Sequence, residues 1–148
     1  MALLAKPLEQ IHSKIPIAVW KLVLAAQRSA WTKAASGICI LLIVIFSLLP
    51  QDERVTAGLP GKVEHFLAYG VTGLLLALSI RGRNGPFLAA ANLAWIASLL
   101  EFLQQWSPGR HPRVSDALVS AAAAMLGAGL AAWLGYRAQV AFTTTQDQ

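Results

Sequence analysis

The chain has 148 residues, 56% hydrophobic and 13% charged, with a formal net charge of +5 and a mean hydropathy of +0.56. Soluble domains carry about 25% charged residues, so the composition argues against a water-soluble globule and against disorder, and one cysteine rules out a disulfide scaffold. The basic residues flank apolar segments instead of forming one tract, which points to membrane orientation and away from a nucleic-acid partner.

Residues 1–33 form a basic leader. Lys14, Lys21 and Arg28 recur every seven residues on one helical stripe, while Ile11, Ile15, Ala18 and Leu22 form another. That separation predicts an amphipathic helix lying in the membrane surface, with Trp20 and Trp31 at headgroup depth. Pro16 predicts a break or a late start within it. Val55-Thr56-Ala57 faintly resembles a cleavage site, but the basic region is longer than a signal peptide uses and three more apolar segments follow.

A spanning helix needs roughly 20 apolar residues to cross about 30 Å of hydrocarbon. Four segments are expected to do so. Residues 34–49 carry no charge, stop at Pro50 and extend back through Thr32 and the snorkelling Lys33. Residues 62–80 crowd their polar groups at the start, residues 86–106 place Pro86 in a first turn, and residues 115–136 are uncharged beyond Asp116. In the last span Ala123, Gly127, Ala131 and Gly135 recur every four residues, and Gly70, Gly73 and Ala77 make a looser stripe in the second. Such stripes let helix backbones approach closely. The expected fold is an all-α membrane protein, a bundle of four transmembrane helices preceded by an amphipathic interfacial N-terminal helix. Its parts would be the leader 1–33, a membrane domain 34–137 and a polar cytoplasmic tail 138–148, whose last six residues, 143–148, are expected to be disordered.

The polar residues that lipid penalises most converge on one end of that bundle. Lys62, Glu64, His65 and Tyr69 begin the second span, with Lys62, His65 and Tyr69 on one face. Glu101, Gln104 and Gln105 end the third, Arg110, His111 and Arg113 follow in a loop, and Ser115-Asp116 start the fourth. Glu101 lies about 7–8 Å inside its span, where an ionisable group marks a functional site or a charge clamp between helices. Its expected partners are Lys62, His65 and Arg110, with Arg110 favoured because a Pro108-Gly109 turn would fold the loop back over the third span. Asp116 also reads as an ordinary anion at a helix start. There is no Gly-rich phosphate loop, CxxC or HExxH, and His65, Glu101 and Asp116 with one good imidazole make a sparse metal set, so no metal is expected and no cofactor follows.

In these residues the chain resembles the VanZ-like family of small bacterial membrane proteins. The matching elements are Lys62-x-x-His65-Phe66-x-x-Tyr69-x-x-x-Gly73, Glu101-x-x-Gln104, Pro108-Gly109-Arg110, and Asp116 six residues after that arginine. They cover about residues 60–135, more than half of the chain. Ser120 stands where the family commonly has asparagine and Ala123 where it has glycine. The family is named for a member associated with resistance to the glycopeptide teicoplanin. The resemblance implies a multi-pass protein of the bacterial cytoplasmic membrane that acts on the cell envelope.

The expected function is binding or processing of an anionic envelope ligand, such as a lipid-linked or phosphorylated glycan. Glu101 and His65 are the expected proton-transfer pair, and Lys62, Tyr69, Gln104, Arg110 and Asp116 the ligand-binding residues. These residue types serve binding as readily as turnover. The rival expectations are a non-enzymatic accessory subunit of an envelope or polysaccharide machinery, and a membrane-embedded hydrolase. Expected partners are membrane lipid, cell-wall glycan, and a second copy or an envelope-machinery protein. Lysine and arginine counting places eight residues, including Lys33, Arg83 and Arg137, on one side and four, Arg54, Lys62, Arg110 and Arg113, on the other, so both termini are expected in the cytoplasm. A reporter fused at Arg83 should act as cytoplasmic and one at Gly109 as periplasmic. Periplasmic activity at Arg83 would reverse this map.

Overall fold

Prolines and one serine set the helix boundaries. The computed structural model describes residues 16–53, 58–80 and 82–146. These form α1 (Ile17–Arg28), α2 (Ala30–Leu48), α3 (Gly61–Ser79), α4 (Gly85–Leu103) and α5 (Val114–Gln146), with 3-10 turns at Gln51–Glu53 and Gln104–Trp106 and no strand among the described residues. Lys6, Ile11, Lys14 and Ile15 of the leader, Arg54 and Val55-Thr56-Ala57, and Arg81 lie outside them. Pro16 and Pro60 stand immediately before α1 and α3, where a missing N–H removes no helical bond. Ser29 is extended between α1 and α2, and its hydroxyl accepts the Trp31 N–H at 3.1 Å, capping α2. Leu49 is extended ahead of Pro50, as the steric clash with a following proline requires.

Three helices, Ala30–Leu48, Gly85–Trp106 and Val114–Thr143, are long and apolar enough to cross a membrane. α3 equals α2 in length, at 19 residues, but its first turns carry Lys62, Glu64 and His65. The packing is the reverse of a soluble bundle. Large apolar side chains such as Leu41, Phe87, Leu118 and Leu126 face outward, while alanine, glycine, serine and threonine make up most of the centre around Ile43, Tyr69, Leu93 and Leu100. In lipid no hydrophobic gain comes from burying leucine, so helices associate through close van der Waals contact at small residues.

That contact is tightest between α3 and α5. Gly73 lies against the backbone of Ala124, so that a Cβ would come 2.6 Å from the Ala124 carbonyl oxygen. Gly127 packs on the Gly70 carbonyl in the same way. The expected stripes therefore lie inside the bundle: Ala123, Gly127, Ala131 and Gly135 on α5 are all buried, as are Gly73 and Ala77 on α3. α4 closes the bundle with Ala89, Leu93 and Ala97, spaced every four residues and essentially inaccessible.

Trp20 is buried, and with half-buried Val23 and Gln27 it turns α1 towards the bundle, opposite the exposed Leu22. Trp31, by contrast, is 84% exposed. The tail expected from residue 138 is helix as far as Gln146, because Ala138 is fully buried and Thr143 returns its hydroxyl to the Gln139 carbonyl at 3.1 Å instead of breaking the helix.

The α3–α5 crossing predicts a contrast between two glycines on one helix. Gly127→Ala should destabilise the protein by about 1–3 kcal/mol, the usual cost of overpacking, because only backbone can yield. Gly129 faces open space, so Gly129→Ala should be neutral or stabilising by up to about 1 kcal/mol through helix propensity. Unfolding of the two variants in one detergent measures the difference.

Candidate functional site

A loop tied to backbone closes one end of the bundle. Pro108 and Gly109 form a turn in which Gly109 has φ +72° and the Arg110 N–H donates to the Ser107 carbonyl at 3.2 Å. A positive φ at the third turn position is the type II geometry that glycine satisfies. The turn is stitched to the end of α2. The Ser107 hydroxyl donates to the Leu48 and Leu49 carbonyls at 3.2 and 3.4 Å, and the Gln51 N–H donates to the Pro108 carbonyl at 3.2 Å.

Arg110 completes the stitch. Its Nε donates to the Leu49 carbonyl at 3.1 Å, and one terminal nitrogen donates to the carbonyls of Phe46 and Ser47 at 2.8 and 3.2 Å. A guanidinium at the C-terminus of a helix satisfies orphan carbonyls and meets the negative end of the helix dipole. Where Arg110 was expected to pair with Glu101, its Nε and one terminal nitrogen instead go to the carbonyls at the end of α2.

Glu101 finds a different partner. It continues the stripe of Ala89, Leu93 and Ala97 on α4 and is buried at 9% exposure. Its Oε1 accepts the backbone N–H of Arg113, immediately ahead of α5. The carboxylate thus meets the positive end of a 33-residue helix, where backbone amides and dipole both favour an anion. Asp116 lies in the first turn of the same helix, accepting the Ser115 hydroxyl at 3.1 Å.

The other polar side chains form a connected row. His65 Nδ1 lies 3.3 Å from the Ser120 hydroxyl across the α3–α5 contact, and the His65 and Tyr69 rings stack at 6.2 Å and 19°. Tyr69 is buried and within electrostatic reach of Glu101. Gln104, one turn beyond Glu101, is also buried. Ser120 was singled out in the sequence only as a departure from the family pattern, and here it is the group that holds the imidazole.

Between α2 and α3 lies a cleft of about 470 Å³. Glu64, His65, Gln104 and Arg110 line its polar part, and Leu42, Phe46, Leu67 and Val71 line an apolar wall. Of the expected site residues, the cleft brings together His65, Gln104 and Arg110. Tyr69 and Glu101 lie in the buried row linked to His65, Asp116 stays at the start of α5, and Lys62 is exposed outside the cleft. The α2 wall, with Cys39 and Ser47, was not among the expected residues. Its signal was the pair of small polar side chains eight positions apart on one face of an aliphatic segment. Among the described residues, no group of three His, Cys, Asp or Glu is arranged to hold a metal ion. No family model, curated protein or solved structure matches the chain.

The stitch predicts a graded loss at Arg110. Arg110→Gln leaves the α2 carbonyls short of charged donors and should cost about 2 kcal/mol. Arg110→Lys should recover only part of it, since an ammonium lacks the fork geometry. Thermal unfolding gives the stability, and faster hydrogen exchange at the Gln51 amide reports release of the loop.

Proposed function

We propose that the chain is a VanZ-like protein of the bacterial cytoplasmic membrane, in which α3 is a fourth span, α1 lies in the interface and both termini are cytoplasmic. The cleft binds an anionic envelope ligand, a lipid-linked or phosphorylated glycan. What supports this reading is the division of the cleft into a polar part and an apolar wall. An amphipathic ligand needs both, with its head at His65, Gln104 and Arg110 and its chain along Leu42, Phe46, Leu67 and Val71. Lys62, exposed at the start of α3, supplies a further positive charge to the head. His65 and Glu101 are the proton-transfer groups of this reading, with the Tyr69 ring stacked on His65.

A second reading has its own observation. Arg110 and Glu101 both direct hydrogen bonds to backbone, which suits a clamp that holds α2, α4 and α5 together in an accessory subunit of an envelope machinery. The two readings separate in one experiment. Protein extracted in a mild detergent is tested by mass spectrometry for a co-purified lipid or glycan, in wild type, Val71→Trp and Gln104→Ala. Ligand binding predicts a carried species that falls about tenfold or more on filling the wall, equivalent to at least 1.4 kcal/mol, at unchanged melting temperature. No carried species, or the same species in Val71→Trp, favours the clamp.

A further inference from the structure

A second cavity lies at the opposite end of the bundle, where α1, α3 and α5 meet the start of α4. It is open, about 890 Å³ in volume, and its polar lining consists of Gln27, Arg83, Tyr136 and Gln139. Gly135 makes room for one of these groups: a Cβ there would come 2.5 Å from the Gln27 amide nitrogen. The cavity shares no residue with the cleft between α2 and α3.

Charge divides the two ends. Among the described residues, every carboxylate (Asp52, Glu53, Glu64, Glu101 and Asp116) belongs to the end with the cleft. The end with this cavity carries, among the described residues, Lys21, Lys33, Arg83 and Arg137 and no acid. The cavity therefore presents a guanidinium, two carboxamides and a phenol hydroxyl, with no carboxylate among its lining residues to neutralise the guanidinium. A guanidinium fork and neutral donors match the oxygens of a phosphate, and basic pockets between spanning helices are known sites for phosphate headgroups.

We propose that this cavity binds the phosphate of an anionic ligand, with Arg83 as its charge anchor and Gln27, Tyr136 and Gln139 as neutral donors. The site is independent of whatever occupies the cleft. It differs from a general excess of positive charge because it depends on one arginine and on the space beside it.

The test titrates purified full-length protein with three probes, dioctanoyl phosphatidylglycerol, dioctanoyl phosphatidylcholine and glycerol 3-phosphate, and follows the unfolding midpoint. Phosphatidylglycerol should raise the midpoint at concentrations where phosphatidylcholine does not. Arg83→Gln should weaken phosphatidylglycerol about tenfold, the loss of one charge-assisted contact. Ala132→Phe, which fills the cavity from an exposed position without changing charge, should weaken it similarly. Lys33→Gln removes an exposed charge from the same end outside the cavity and should change affinity less than about twofold, as a screened surface charge does. Glycerol 3-phosphate binding as tightly as the lipid identifies a free phosphate ester as the ligand, and binding of the lipid alone identifies a headgroup; both support the site. Equal losses in Arg83→Gln and Lys33→Gln, or no preference over phosphatidylcholine, overturn it.

Discussion

The backbone contact between α3 and α5 governs the rest of the molecule. Gly70 and Gly73 meet Ala123, Ala124 and Gly127 with nothing larger than a methyl group between the helices. A contact of that kind fixes the sliding register as well as the separation, because only these positions leave room for the neighbouring backbone. Register at the centre then sets what meets at the end. His65 lies five residues before Gly70, and Ser120 seven before Gly127, so the crossing brings an imidazole and a hydroxyl to 3.3 Å. α4 adds its carboxylate in the same manner, by carrying a strict four-residue stripe from Ala89 to Glu101.

Two charges at that end, on Glu101 and Arg110, make hydrogen bonds to backbone. Glu101 takes an amide ahead of α5, and Arg110 gives its donors to carbonyls at the end of α2. Helix termini suit this use, since their unpaired amides and carbonyls need partners in any case and the dipoles have the right sign. One loop of seven residues, 107–113, thereby links three helices.

Much of this was legible in the sequence, and the misses have physical causes. Pro16, Pro50, Pro60 and Pro86 mark helix boundaries because proline removes an amide and restricts its predecessor. The small-residue stripes located the helix contact, and the shared depth of His65, Glu101, Gln104 and the 107–113 loop was visible from span ends alone. The partner of Arg110 was not, because a carbonyl at a helix end is the same chemical group whatever residue carries it. The burial of Trp20 was not legible, because the basic stripe of residues 14–28 defines one face, and a single aromatic on another face does not say whether lipid or protein lies against it. The extension of α5 was hidden because Thr143 and Gln146 lower hydropathy without breaking a helix.

Cys39 gives the cleft an unused property. It is the sole cysteine of the chain, half-buried on the α2 wall, ten residues before Leu49. At 1.5 Å per residue that is about 15 Å of helix, which is half the thickness of a bilayer core. If α2 spans the bilayer, the chain carries one thiol near mid-depth, against the space between two helices. A fluorescent or spin probe that partitions into lipid would label one position without any engineered residue. Its spectrum would register how far apart α2 and α3 stand, a distance that the α3–α5 contact leaves unconstrained.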